Sequence, residues 1–153
     1  MFSAQCSAET KTSRGFTRIP LRLTANHHFD VEGTLNGHGT RFIVDTGAST
    51  TLVDKEIAVR SGTPLTALWG VGGNGAGGSH GGLGRASVKE LGIGSFELAN
   101  AEVAVAHVSG EVLLSKSTAE SNAGVLGQEY LSSNFAVLDV GGRALYLRHP
   151  DSR

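Results

Sequence analysis

The chain has 153 residues, enough for one domain with a sizeable core, and 13 Lys and Arg against 14 Asp and Glu leave a net charge of −1. That balance excludes a basic field for nucleic acid and an acidic, self-repelling tail. The single cysteine, Cys6, excludes an internal disulfide and a cysteine-built zinc cage, and no apolar run approaches the roughly 18 residues that cross a bilayer.

Residues 1–18 are polar and patternless and are expected to form a flexible tail. MFSAQCSAETKTSRG lacks the apolar centre of a signal peptide, and SAQC is a poor lipid-attachment signal. The compartment stays open: a soluble chain, compatible with a periplasmic or secreted location should a targeting segment have been removed. Three short apolar stretches follow, RIPLRLT, FDVEGTL and TRFIVD. The second and third are joined at Asn36-Gly37, a hairpin signal because both residues tolerate positive φ. TTLV continues beyond an aspartate loop. DKEIAVRSG carries helical spacing and stops at a glycine, so it predicts a short helix. LTALWGV, RASVKEL and FELANAEVAVAHV read as strands, with a tight turn inside ELGIGSFEL. GQEYLSSN predicts a second short helix. FAVLDV, Gly141-Gly142 and RALYLR predict a closing hairpin, with 150–153 as a tail. Many short strands with glycine turns predict an all-β domain over 19–149, a barrel or sandwich with one or two short helices.

The stretch FIVDTGAST, residues 42–50, sets a carboxylate, Asp45, at the end of an apolar strand. A turn-capping Asp accounts for Asp45 and Gly47 but not for the apolar lead-in. Burial is expected for such a group, and a buried carboxylate is costly unless it is paired or hydrogen-bonded.

These residues resemble the retropepsin-like aspartic proteases, whose signature is two apolar residues followed by Asp-Thr-Gly-Ala. VEGTLNGHGTRF resembles the hairpin before that family's catalytic loop. Ala123-Gly124-Val125-Leu126-Gly127 resembles its apolar-apolar-Gly motif, and QEYLSSNFAVLDVGGRALYL its short helix and closing hairpin. The resemblance spans residues 19–148 and implies a closed β-barrel. It also implies a catalytic Asp45 and a supporting loop of Thr46, Gly47, Ala48 and Ser49. Thr46 would hydrogen-bond across a dimer, and Gly47 would let substrate backbone approach closely. Ser49, where viral members carry an acid, has two roles open, binding substrate backbone or capping the turn. Metal-free peptide hydrolysis uses two carboxylates sharing one proton, because like charges about 3 Å apart cannot both ionise. DTG occurs once here. The resemblance therefore implies a homodimer in which Asp45 meets its own copy, acting on a peptide or protein substrate without metal or cofactor. The alternative is a monomeric module that binds peptide or protein partners and does not cleave them. No separate terminal strand is evident beyond RALYLR to interleave with a partner.

Nine glycines fall within residues 70–84. Gly73, Gly75 and Gly78 satisfy G-x-G-x-x-G, but no helix follows to aim at a phosphate. Gly77-Gly78-Ser79-His80-Gly81 satisfies G-x-S-x-G without the parallel α/β setting of a nucleophile elbow. Two readings remain, a mobile flap over substrate involving Trp69, Gly70, Val71, Gly72 and Gly73, or a plain surface loop. Trp69 either lines a pocket or packs beneath the flap. His27 and His28, on a strand, would point to opposite faces, which argues against a metal pair with Asp30. Asp139 reads as a turn acid, Asp30 as a strand position and Asp54 as a helix cap.

Overall fold

A computed structural model describes residues 14–69, 74–75, 78–79, 83–107 and 122–150. The strands are β1 (Thr17–Pro20), β2 (Arg22–Leu23), β3 (Phe29–Leu35), β4 (His38–Val44) and β5 (Leu52–Asp54). After helix α1 (Lys55–Arg60) come β6 (Leu65–Trp69), the two-residue strands β7 (Asn74–Gly75) and β8 (Gly78–Ser79), β9 (Leu83–Ile93) and β10 (Phe96–Ala106). β11 (Asn122–Leu126), helix α2 (Gln128–Ser133), β12 (Val137–Asp139) and β13 (Ala144–Leu147) complete the chain.

Six strands close a barrel in the order β3-β4-β11-β5-β10-β9, with β9 returning to β3 at Gly33↔Ile93 and Leu35↔Leu91. β2 and β6 extend its margins, and β1-β13-β12 form a separate three-stranded sheet. The expected all-β barrel with two short helices is the observed one. RIPLRLT is not one strand, however. β1 pairs with β13 and β2 with β3, the chain passing between sheets at Leu21, whose N–H reaches the Arg143 carbonyl. β1 also starts at Thr17, inside the expected tail.

Local sequence explains the turns. Asn36 and Gly37 take φ of 48° and 81°, the left-handed pair of a two-residue hairpin, and β3 and β4 pair in register on either side. Asp54 caps α1, its carboxylate accepting the N–H groups of Glu56 at 2.9 Å and Ile57 at 3.3 Å. Inside, Val31, Leu35, Phe42, Val53, Val88, Leu91 and Leu126 form one cluster that continues through Ile19, Leu145 and Leu147 of the small sheet. Gly33 is required there: a Cβ would come within 2.8 Å of the Phe42 ring and 2.6 Å of the Gly92 carbonyl.

Candidate active site

β11 runs between β4 and β5, parallel to the first (Ile43↔Val125, Val44↔Leu126) and antiparallel to the second (Val125↔Leu52). The chain from β4 to β5 therefore loops around the end of β11. The Asp45 N–H donates to the Leu126 carbonyl at 3.1 Å, and Ala48 N–H closes the turn on the Asp45 carbonyl at 3.3 Å. α2 has no side-chain N-cap. Its first N–H groups instead donate to the loop, Gln128 to the Ala48 carbonyl at 2.7 Å and Glu129 to the Ser49 carbonyl at 3.2 Å. Helix and loop thus satisfy each other's orphan groups.

Thr51, 1% exposed, locks the threading. Its Oγ1 accepts the Gly127 N–H at 3.0 Å, and its own N–H donates to the Glu129 carboxylate at 2.7 Å. The motif's glycines are explained by this closeness. A Cβ on Gly127 would strike the Thr50 carbonyl, and one on Gly124 would strike the Leu52 carbonyl.

The expected burial of Asp45 is not what the structure shows. Asp45, Thr46, Gly47 and Ser49 are exposed, and Ala48 is half-buried. The barrel's last inward residue on β4 is Val44, and the chain leaves the core one residue later. The carboxylate is nevertheless held, with Oδ1 accepting the Gly47 N–H at 2.8 Å. Among the described residues no ion pair reaches it. The carboxylate is thus fixed by the loop's own backbone and exposed, with no charged partner among the described residues.

Beside it lies a patch that the sequence reading passed over. Ile43 and Ala106 form a second buried cluster with Leu52 and Val125, apart from the main core. Phe42 and Val44 face inward, so Ile43 faces the other way. The signal was present in the FIV run, because unbroken apolar residues mark a strand used on both faces. Val125 and Leu126 of the apolar-apolar-Gly motif likewise divide, Val125 to this patch and Leu126 to the main core.

Farther along the same face, Asp30, fully buried, accepts Arg41 at 2.6 Å and Arg22 at 2.7 Å. Burial raises the pKa of the Asp30 carboxyl, but hydrogen bonds and charge from Arg41 and Arg22 outweigh it, leaving the group below the ordinary carboxylate value. Arg41 also reaches Glu32 at 3.2 Å. Asp54 is the helix cap and Asp139 the turn acid, accepting Gly142 N–H at 2.8 Å. His27 and His28 do not lie on a strand. They sit in the 24–28 turn, with His27 at φ 62° and His28 bonded back to Thr24. The Tyr130 phenol is buried without a hydrogen-bond partner among the described residues, and burial pushes its pKa up.

Gly70, Val71, Gly72 and Gly73 lie outside the described residues, as do most of their neighbours to Gly82. The main chain of Trp69 pairs with Leu83.

Comparisons with known proteins agree with this geometry. A family model described as aspartyl protease matches residues 31–130. The fold is similar to a retropepsin-like aspartic protease from Rickettsia conorii, with a TM-score of 0.58 at 20% identity over 88% of this chain and 92% of that one. It is similar to EIAV protease in complex with the inhibitor HBY-793, with a TM-score of 0.53 at 17% identity over 78% and 99% of the two chains. It is also similar to the retroviral protease-like domain of Ddi1 from Leishmania major, at 0.52 and 16% over 80% and 95%. No curated protein sequence matches. With its DTG loop threaded by the apolar-apolar-Gly strand inside a six-stranded barrel, and the family model covering most of that barrel, the chain belongs to the aspartyl protease family, with a retropepsin-like fold.

Proposed function

We propose that the chain is an aspartic endopeptidase that works as a homodimer, with Asp45 of two copies facing each other across a two-fold axis. The observation that carries this reading is the state of Asp45 in one chain: a carboxylate exposed, held by the Gly47 N–H, on a loop fixed from behind by α2. A fixed exposed carboxylate can be brought against its copy with no change in its own chain.

The chemistry follows from sharing one proton. The ionised Asp45 takes a proton from the water held between the two, and the protonated one donates to the scissile carbonyl oxygen. No metal or cofactor takes part. Thr46, next along the exposed loop, would bond across the axis. Gly47 leaves room for extended substrate backbone, and Ser49 stands one position beyond Ala48 to receive it. Leu52 and Val125, the half-buried members of the second cluster, would meet apolar side chains of a peptide or protein substrate. Trp69, Gly70, Val71, Gly72 and Gly73 would close over it as a flap.

A second reading, a monomeric module that binds peptide without cleaving it, draws on the same fact, that one chain holds a single such aspartate in its DTG loop. Subunit mixing separates the two. Wild type and Asp45→Asn are combined at constant total concentration and allowed to exchange. A site needing both aspartates leaves roughly a quarter of the activity in an equal mixture, because only wild-type pairs work. Retention of about half, with exchange confirmed, would show that each chain acts alone, and no hydrolysis by pure wild type at any concentration would favour the binding module.

A further inference from the structure

At the end of the barrel away from Asp45, the β3–β4 hairpin, α1 and the β9–β10 turn border an open cavity of about 750 Å³. His38, on its wall, begins the strand that leads to Asp45, which sets the two about 20 Å apart. The cavity wall carries Arg41, Arg60 and His38 against a single acid, Glu32, and Ile57 gives it an apolar side. Arg60 and His38 are exposed, and among the described residues neither meets a carboxylate.

Arg41 divides its donors between two acids of unlike standing. Its Nη2 donates to the fully buried Asp30 at 2.6 Å. Its Nη1 meets Glu32 at 3.2 Å, and the Glu32 side chain is 84% exposed. An ion pair with so exposed an acid is worth little, so an external oxyanion can take its place. Nη1 is open to such a ligand from the side on which Glu32 reaches it.

Gly39 stands two residues before Arg41 on the same face of β4, opposite Thr34 of β3. A glycine inside a strand weakens it and often marks the close approach of another group. For Gly33 that group is the Phe42 ring, and for Gly92 it is the Thr34 side chain. At Gly39 no described atom lies within 4 Å of where a Cβ would stand, and φ is outside the left-handed region. Neither packing nor backbone geometry calls for glycine here, and its bare backbone leaves the floor in front of Arg41 open.

We propose that this cavity is a second, non-catalytic site for a small organic acid. The oxyanion head of the ligand, a carboxylate or a phosphate, displaces Glu32 from Arg41 Nη1 and is met by Arg60 and His38, while a short apolar body lies against Ile57. The volume suits a ligand of that size. The site depends neither on Asp45 nor on the number of chains, and its ligand ties α1 to the hairpin.

The test titrates the isotope-labelled full chain with butyrate and with inorganic phosphate, against chloride at matched ionic strength, and follows the amide signals of Gly39 and Arg60. Saturable shifts are expected; saturation by butyrate assigns a carboxylate head, and saturation by phosphate a phosphate head. Glu32→Gln is expected to tighten binding about threefold, because the ligand no longer displaces an exposed pair. Arg60→Gln should weaken it about tenfold, the loss of one charged hydrogen bond. Gly39→Val fills the open floor with a good strand former and should weaken binding at least about tenfold, with circular dichroism unchanged. Should Gly39→Val fail to fold, the opposite signs at Glu32 and Arg60 decide. Shifts no larger than those with chloride would overturn the site, as would wild-type affinity in both Glu32→Gln and Arg60→Gln.

Discussion

The Glu129 carboxylate accepts the Thr51 N–H at 2.7 Å across 78 positions of sequence. One side chain on the first turn of α2 thus satisfies a buried amide in the loop that presents Asp45. Glu129→Ala leaves that amide without an acceptor, at a cost of about 1–3 kcal/mol. Glu129→Gln retains an oxygen in the same place and is expected to recover most of it. Urea unfolding of the three proteins checks the order, and equal midpoints for Ala and wild type would remove Glu129 from the scaffold of the loop.

Gly127 has no room for a side chain, because a Cβ would strike the Thr50 carbonyl, which belongs to backbone and cannot step aside. Gly127→Ala is expected to give a chain that does not fold to the native barrel or that loses about 3 kcal/mol, the upper end of what overpacking costs, because the struck atoms are backbone. Gly141→Ala serves as the control, since its nearest atom lies 3.9 Å away. Similar expression and thermal midpoints for the two variants would contradict the tight threading.

Asp45→Asn keeps shape and removes the base. Because the Asp45 side chain is exposed and, among the described residues, makes one hydrogen bond, to the Gly47 N–H, circular dichroism and thermal midpoint should match wild type. Peptide hydrolysis should fall by about 10³-fold or more. In wild type, kcat/KM should rise and then fall with pH, both limbs belonging to the pair of carboxylates. A rate that climbs steadily through alkaline pH would point to different chemistry.

Asp30 lies between Arg22 and Arg41 and is held below the ordinary carboxylate value, so its sign can be worked out. A carboxyl depressed in the folded state contributes stability that is fully present above the unfolded value of about 3.9 and is lost as pH falls through the folded one. Asp30→Asn should cost about 2–3 kcal/mol near neutral pH, less than a wholly buried pair because the Arg22 side chain is 43% exposed. The variant's urea midpoint should also lose part of the acid dependence below about pH 4. Parallel curves for the two proteins from pH 6 to pH 2 would show that the cluster does not act this way.

Elements governed by neighbours in sequence were legible without coordinates. Asn36-Gly37 specified its hairpin because both residues accept positive φ, and Asp54 specified a cap because its carboxylate serves N–H groups two and three residues on. Gly141-Gly142 specified the last turn, with Asp139 as its acid. Where local signals misled, longer contacts decided. RIPLRLT alternates like one strand, but Leu21 is drawn to the Arg143 carbonyl and splits it between two sheets. FAVLDV loses its first residues to a turn, with Phe135 at φ 50°.

At the site itself, the sequence by itself determined the parts: an aspartate after an apolar run, a glycine two residues on, and a second apolar-apolar-Gly run far downstream. Their chemistry is intrinsic to the residue types, so order along the chain suffices to recognise them. Only the tertiary structure decided that the two runs lie side by side, that Thr51 and Glu129 tie them, and that Asp45 faces solvent. Burial depends on which surfaces the rest of the chain covers. In this fold the barrel closes at Val44 and the helix supports the loop from behind, so the carboxylate is left on a side that the described residues do not cover.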